Sequence, residues 1–361
     1  IGAEVGVVFP LGTHLADIAK LAAADANVCM YREYGRNLCE TLKAAGYTGL
    51  LCFEKDDTPE TLAEYCRRAA FVVHLAGINR PKDPSEFYTG NAGLTETLLA
   101  DLEAAGNKAP VLVTSSTQAA LDNDYGKSKL EAENAIFAHG EKNGSPVHVV
   151  RMEGVFGKWC RPNYNSVVAT FCYNVAHGLP ISVRDPALAL PLVYIDDVVQ
   201  CILDAMDGKV MQDRSARPIC HIHPVHETTL GHLAEVIQSF PESRKTLAVP
   251  ELTPGSLEKK LYSTYLSYLP EDAFAYPLAM HCDARGSFTE ILRTPDCGQF
   301  SVNILRPGIV KGNHWHHSKT EKYLVVSGRC TTKLRQVGTD KVTEIITSGE
   351  KLEVIDIPTG Y

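Results

Sequence analysis

The sequence predicts a doubly wound α/β fold, a parallel sheet covered by helices on both faces, followed by an antiparallel β-barrel of the jelly-roll kind. Three observations lead there. From Asn37 to about Met152, short apolar runs of strand length alternate with helical periods, the order of a parallel sheet whose crossovers are helices. From about Phe274 onward helix signals give way to short alternating stretches broken by Gly and Pro, the mark of an antiparallel sandwich or barrel. The chain has 361 residues and 45% hydrophobic content, which suits two domains of unequal size better than one core.

Strands are expected at 50–54 (LLCFE), 71–77 (FVVHLAG), 111–116 (VLVTSS) and 147–152 (VHVVRM). Their continuous apolar runs fit strands buried on both faces, and such sheets bind ligands at the carboxyl ends of their strands. Helices with one polar face fall between them at 37–46, 58–69, 85–105 and 125–142. Beyond Met152 comes the loop GVFGKWCRPNYNS, with helices near 166–177 and 197–206, a substrate-side region by position. Residues 252–269 are helical and framed by Pro250, Pro254 and Pro270, the look of a connector. The last stretches are QFSVNILRP, EKYLVVSGRC, TTKLRQV and KLEVIDIP.

The net charge of −8 and pI near 5.9 leave no basic footprint for nucleic acid or an anionic membrane, so a small-molecule partner is expected. Eleven cysteines without a C-x-x-C pair read as reduced thiols in a cytoplasm. No apolar stretch approaches the roughly 20 residues of a membrane helix. The opening IGAEVGVVFP lacks the basic flank of a signal peptide.

Tyr125 and Lys129 stand four apart at the start of a helix, on one face, and Ser116 closes a strand nine residues upstream. An ammonium beside a phenol favours phenolate, which brings a tyrosine nearer to usable acid–base chemistry at neutral pH. A serine hydroxyl steadies a carbonyl oxygen. Y-x-x-x-K alone also describes an exposed helix, but T-S-S ending an apolar strand and Y-G-K-S-K opening a helix give it context.

VLVTSSTQAA followed by YGKSKLEAE resembles the Ser and Tyr-x-x-x-Lys segments of extended short-chain dehydrogenases, Rossmann-like enzymes that act on nucleotide sugars. HLAGINRP, VRMEGVFGKWCRPNYNSVVATFCYN and YIDDVV narrow the resemblance to bifunctional nucleotide-sugar enzymes of capsular polysaccharide synthesis. That resemblance implies hydride delivery from NADP(H), with NAD(H) as the other option, to C4 of a UDP-4-keto-6-deoxy-N-acetylhexosamine. The product would be UDP-2-acetamido-2,6-dideoxy-L-talose, on the route to UDP-N-acetyl-L-fucosamine. Tyr125 would protonate the nascent alkoxide, Ser116 bond the carbonyl, and Lys129 hold Tyr125 and the nicotinamide ribose. Leu75, Ala76 and Gly77 join Tyr125 and Lys129 as cofactor-binding candidates. Asn79, Arg80, Lys158, Asn163 and Asn165 are candidates for the sugar nucleotide, and a homodimer is implied.

Two departures stand out. Where the family carries Asn three residues after the strand-ending Arg, Arg151 is followed by Gly154. The family's opening G-x-x-G-x-x-G, whose glycines admit a pyrophosphate, keeps only Gly35, with Cys29 and Arg32 at the other two positions. Residues 1–35 are therefore expected to lie outside this fold, as a fused or misjoined segment; 36–269 form the reductase domain and 270–361 the second domain. Phe53-Glu54-Lys55, where an acid selects NAD and a base NADP, is ambiguous. A non-catalytic nucleotide-sugar-binding fragment and a nucleotide-sugar epimerase or dehydratase are the alternatives.

In the second domain, Gly308, His314, His316, Glu321 and Gly328 match the first cupin motif gap for gap. Two His at i and i+2 would share one face of a strand, and Glu321 would complete three corners of a site for Zn²⁺ or another divalent ion. The second motif would add a His after P-x-G-x-x, and the sequence closes on Pro358-Thr359-Gly360-Tyr361, so a barrel cut short of that ligand is expected. DARGSFTEI resembles the opening of cupin-fold sugar-nucleotide epimerases, which makes Arg285 a diphosphate candidate. The resemblance implies epimerisation at C3, with Lys311, His317 and Tyr323 as proton-transfer candidates. His221, His223 and His226 form H-x-H-x-x-H but read as two strand residues and a turn residue before the capping Thr229, and Asp196 and Asp197 read as helix N-terminal acids.

Overall fold

The computed structural model describes residues 27–29, 50–52, 58–206, 208–209, 217–250, 253–294 and 298–361. Gly35, Glu54, Lys55 and the helix expected at 37–46 lie outside the described residues. The chain divides into two compact units, one of residues 1–277 with 291–300 and one of 278–290 with 301–361.

The first unit is built on a parallel sheet of six strands: β1 (Asn27–Cys29), β2 (Leu50–Cys52), β3 (Phe71–His74), β4 (Val111–Ser116), β5 (Val147–Met152) and β8 (Ile219–His221), in the order β2-β1-β3-β4-β5-β8. The order reverses between β1 and β3, and a crevice at the carboxyl ends beside such a reversal is where ligands bind in this architecture. Asn27–Cys29 pair in parallel with both β2 and β3, which corrects, for these three residues, the expectation that the chain before Arg36 stands outside the fold. Strand pairing needs only backbone donors and acceptors in extended residues, so the missing glycines do not prevent it.

Alternate residues of the sheet feed two cores. Val72, Val111, Val113 and Val149 pack with Leu62 and Cys66 of α1 (Pro59–Arg68), with Leu98 and Leu102, and with Ile136 and Phe137. Phe71, Val73, Leu112 and Val150 face the other way, onto Val198, Cys220 and Ile222. Helices thus cover both faces, as the apolar strands require. The helix expected at 85–105 is a composite rod: α2 (Ser85–Phe87), a π-helical turn Tyr88–Gly93, and α3 (Leu94–Ala104). α4 (Asp124–Asn143) starts at Asn123, whose Oδ1 accepts from Gly126 N at 2.8 Å, and ends on left-handed Gly144.

β5 runs on, past Glu153, into β6 (Gly154–Phe156), which joins β7 (Ala189–Tyr194) and β9 (His226–Thr229) in a three-stranded sheet. This sheet, α5 (Val167–Ala176) and α7 (Leu230–Ser239) form a third core around Phe156, Phe171, Cys172, Leu233, Ile237 and Phe240. α6 (Ile195–Met206) follows β7. α8 (Leu257–Leu266) is part of that third core, with Leu261 fully buried and Tyr265 nearly so. The segment read as a connector is therefore core; its prolines flank a helix whose inner face, Leu261, Thr264 and Tyr265, has helical spacing.

The C-terminal strands are antiparallel. β10 (Met280–Asp283), β11 (Gly286–Thr294) and β12 (Gly298–Leu305) form one sheet, β13 (Glu321–Leu324) pairs β16 (Val354–Ile357), and β14 (Arg329–Arg335) pairs β15 (Val342–Ser348). Among described residues of the second unit, Ile355 is the one buried apolar side chain.

Candidate active site

β4 delivers Ser116 to the carboxyl edge, where its Oγ accepts from Gln118 N at 3.2 Å and starts the short turn Thr117–Ala120. α4 packs its first turn directly on that backbone. A Cβ on Gly126 would sit 2.2 Å from the Gln118 carbonyl oxygen and 2.7 Å from that of Leu121, so Y-G-K needs its glycine to bring Tyr125 close to Ser116. The Tyr125 phenol is hydrogen-bonded to Ser116, and its ring tilts against Phe87 at 5.6 Å. Burial pushes the phenol pKa up and the Ser116 hydrogen bond offsets only part of this. The expected lowering by Lys129 is not found.

The reason is where Lys129 points. It is buried in α4 and its Nζ donates to the Thr114 carbonyl at 3.3 Å. Burial pulls its pKa down to about 8, against the nearby Glu133 carboxylate. Leu75, Ala76 and Gly77 follow β3 at the same edge, and a Cβ on Gly77 would lie 2.9 Å from Lys129 Nζ and 2.9 Å from Asn91 Oδ1. The backbone there is thus pressed against the ammonium, and Gly77 itself is exposed. Such a cradle, an exposed glycine backbone beside a buried lysine and a phenol, fits the nicotinamide end of a dinucleotide.

Two buried polar groups that the sequence reading did not single out hold this edge. Asn91, within the π-helical turn, accepts from Ile78 N at 2.8 Å and donates to Ile78 O at 3.2 Å and Ser128 Oγ at 2.9 Å. It ties the loop after β3 to α4, and π-helical turns recur at functional positions. Glu133 accepts from Ser115 Oγ at 2.5 Å and twice from Arg151, at 2.9 and 2.7 Å, a bidentate pair under the sheet end. Beneath them His74 bonds Thr95 at 2.9 Å, and burial lowers its pKa to about 3. The only sequence sign of Asn91 and Thr95 is two polar residues at i and i+4 on an otherwise apolar face.

Toward the substrate side, Asn79, Arg80 and Asn165 are exposed, and Asn163 has φ 54° with its N–H on Thr170 Oγ1 at 3.0 Å. Lys158 is engaged by Asp196 at 2.8 Å, and Lys260 by Asp197 at 2.8 Å and His226 at 3.0 Å. Asp196 and Asp197 thus open α6 and also neutralise two half-buried lysines; His226 stands in β9 rather than in a turn. Gly154 suits its place, since a Cβ there would meet Leu192 at 3.0 Å and the Pro191 carbonyl at 3.3 Å.

In the second unit the ligand atoms of His314, His316 and Glu321 lie within 4.8 Å of one another. His316 Nε2 is 3.7 Å from Glu321 Oε1 and is otherwise a buried nitrogen without a hydrogen-bond partner. The two histidines are not on a strand. Gly308, Gly312 and Asn313, all at positive φ, keep the run irregular until β13 begins at Glu321, yet the side chains still converge. Burial alone would raise the Glu321 pKa, but hydrogen bonds from Lys319 and Tyr323 and the charge of His316 hold it below the ordinary value. Two imidazoles and a carboxylate so placed fit a divalent cation. Lys311 and His317 flank this site in sequence, and His317 meets the Trp315 ring at 4.2 Å. Arg285 is committed to Asp283 through Nε at 3.0 Å and Nη2 at 2.7 Å.

Residues 34–214 match the NAD dependent epimerase/dehydratase family. The chain belongs to that family. Residues 281–361 match the polysaccharide biosynthesis C-terminal domain. A relative in Pseudomonas aeruginosa, UDP-2-acetamido-2,6-beta-L-arabino-hexul-4-ose reductase, is 44% identical over 327 residues, 91% of this chain and 87% of its own. The crystal structure of the capsular polysaccharide assembling protein CapF from Staphylococcus aureus superposes with a TM-score of 0.83 at 42% identity, covering 93% of this chain and 90% of that one. UDP-glucose 4-epimerase of Thermotoga maritima, at 17% identity, TM-score 0.54, 67% of this chain and 98% of its own, shares the fold. A reductase relative along nine tenths of the chain, together with the family, makes this member an NAD(P)-dependent oxidoreductase.

Proposed function

We propose that this chain reduces the C4 ketone of a UDP-4-keto-6-deoxy-N-acetylhexosamine with NADPH and, in its C-terminal unit, epimerises the same sugar at C3. The product is then UDP-2-acetamido-2,6-dideoxy-L-talose, a precursor of UDP-N-acetyl-L-fucosamine for capsular polysaccharide. The observation that carries the reductase reading is the hydrogen bond between the Tyr125 phenol and Ser116 at the carboxyl edge of the sheet, with Lys129 buried one turn further along α4 and bonded to the Thr114 carbonyl. Leu75, Ala76, Gly77, Tyr125 and Lys129 would hold the cofactor, with Gly35, Glu54 and Lys55 as sequence candidates for its other end; when bound it supplies the hydride. Ser116 hydrogen-bonds the ketone oxygen, which orients the carbonyl and stabilises charge as it develops. Tyr125 gives that oxygen its proton, and a phenol whose pKa burial has raised is fully protonated at neutral pH, ready to act as the acid. Lys129 positions the phenol and the ribose. Asn79, Arg80, Lys158, Asn163 and Asn165 are offered to the sugar nucleotide.

For the second activity, the hydrogen at C3 is alpha to the C4 ketone and therefore acidic. His314, His316 and Glu321 would hold a divalent ion, taken to be Zn²⁺, which supplies positive charge for an enolate. Lys311, His317 and Tyr323 are the candidates to move the C3 proton, with Arg285 as a diphosphate contact once it leaves Asp283. We further propose a homodimer working in the cytoplasm; among the described residues no helix is long and apolar enough to cross a membrane, and β12 exposes Phe300, Val302 and Ile304. The deciding experiment incubates the chain with NADPH and the keto-sugar nucleotide and follows loss of nicotinamide absorbance. Turnover that disappears in Tyr125→Phe supports the reading; nucleotide binding without turnover returns the chain to a non-catalytic binding role.

A further inference from the structure

Tyr164 stands in the loop after β6 with 42% of its surface exposed, and two guanidinium groups address its ring. Arg80 Cζ lies 5.8 Å from the ring centroid and Arg161 Cζ 5.3 Å. Arg80 comes from the loop after β3, three residues past Gly77, so the contact joins that loop to the one after β6. The loop's backbone is held in a costly shape: Trp159 and Asn163 both adopt left-handed φ, 65° and 54°, without being glycine. It is pinned at each of these points, by the Tyr268 hydroxyl on the Cys160 carbonyl and by Asn163 N on Thr170 Oγ1. Strain of this kind persists where the surroundings fix it, and it concentrates at ligand clamps. The neighbouring cations Lys158, Lys260 and Arg151 are each neutralised by a carboxylate. Among the described residues no carboxylate pairs with Arg80 or Arg161. Two uncompensated guanidinium groups on one aromatic ring, at the rim of the edge that carries Ser116 and Tyr125, match a small doubly charged anion, which planar forked donors bind well.

We propose that Arg80, Arg161 and Tyr164 form the subsite for the diphosphate of the nucleotide-sugar substrate. The inference rests on the nucleotide-sugar reading above and adds to it the two residues of the strained loop. A phosphate of the cofactor is the other source of such a group, since the loop carrying Arg80 follows β3, which borders the dinucleotide crevice between β1 and β3; Arg161 and Tyr164 come instead from the loop after β6, a strand of the separate sheet with β7 and β9, which favours the substrate. The test is calorimetric titration of the full chain, as wild type, Arg161→Ala, Arg161→Lys and Arg80→Ala, with UDP and separately with NADPH. UDP affinity should fall about tenfold or more in both alanine variants and less in Arg161→Lys, which keeps the charge without the fork. NADPH affinity should stay within a factor of two or so of wild type, as expected for two exposed side chains that bind the substrate rather than the cofactor. In turnover the substrate KM should rise with kcat little changed, the signature of lost ground-state and transition-state binding alike. Unchanged UDP affinity in both alanine variants overturns the subsite, and weakened NADPH with unchanged UDP overturns it in favour of a cofactor phosphate. Absence of UDP binding by the wild type would instead sink the nucleotide-sugar reading itself. Equal thermal midpoints of all four proteins guard against misfolding.

Discussion

Lys129 and Tyr125 are side chains whose placement costs the fold and serves the chemistry. With a folded pKa lowered to about 8 from 10.5, Lys129 binds fewer protons folded than unfolded between those values. Stability therefore rises with pH through that interval and carries the full penalty below it. Lys129→Met is expected to raise the melting temperature at pH 7 and flatten its increase between pH 8 and 10, while abolishing reduction; a lower melting temperature at pH 7 would show the ammonium to be stabilising. Tyr125→Phe should cut ketone reduction by about 10² or more with NADPH binding retained, measured by steady-state turnover and titration. The serine, tyrosine and lysine were legible because strand end, turn and helix start fix their spacing. The direction of the phenol pKa was not, because it depends on burial and on where Lys129 points, toward Thr114. Asn91 was not legible either, since its partners Ile78 and Ser128 lie on other elements.

At the level of elements, β4 and β5 begin and end where the sequence placed them, because an apolar run bounded by polar residues leaves little freedom. The π-helical turn within 85–105 has no comparable signature: one inserted residue per turn leaves the run of helix formers unchanged. α8 was mistaken for a connector because prolines around a helix mark its ends equally well whether the helix is buried or not. Leu261→Ala should accordingly cost roughly 2–5 kcal/mol, read from denaturant unfolding; a cost below 1 kcal/mol or so would return the segment to the surface. His314 and His316 lie in an irregular run rather than on the expected strand, yet their side chains converge with Glu321. His316→Ala should remove bound divalent metal, measured by mass spectrometry after dialysis. Stoichiometric metal in that variant would exclude the triad.

For the whole molecule the cores are unequal. Among the described residues the first unit has three, and the second has one buried apolar side chain, so an ion held by His314, His316 and Glu321, as proposed, would add to its stability. Two thermal transitions are expected, with a chelator lowering only the first; one cooperative transition insensitive to chelator would contradict this. The first unit's cores share a property of another kind. Cys66, Cys172 and Cys220 are each fully buried, one to a core, and burial pushes the Cys66 thiol up to about 12 and that of Cys172 higher still. A thiol so placed does not meet an alkylating reagent until its surroundings open. The chain thus carries a chronometer in each core: pulses of iodoacetamide followed by peptide mass mapping would date, region by region, the order in which the molecule comes apart.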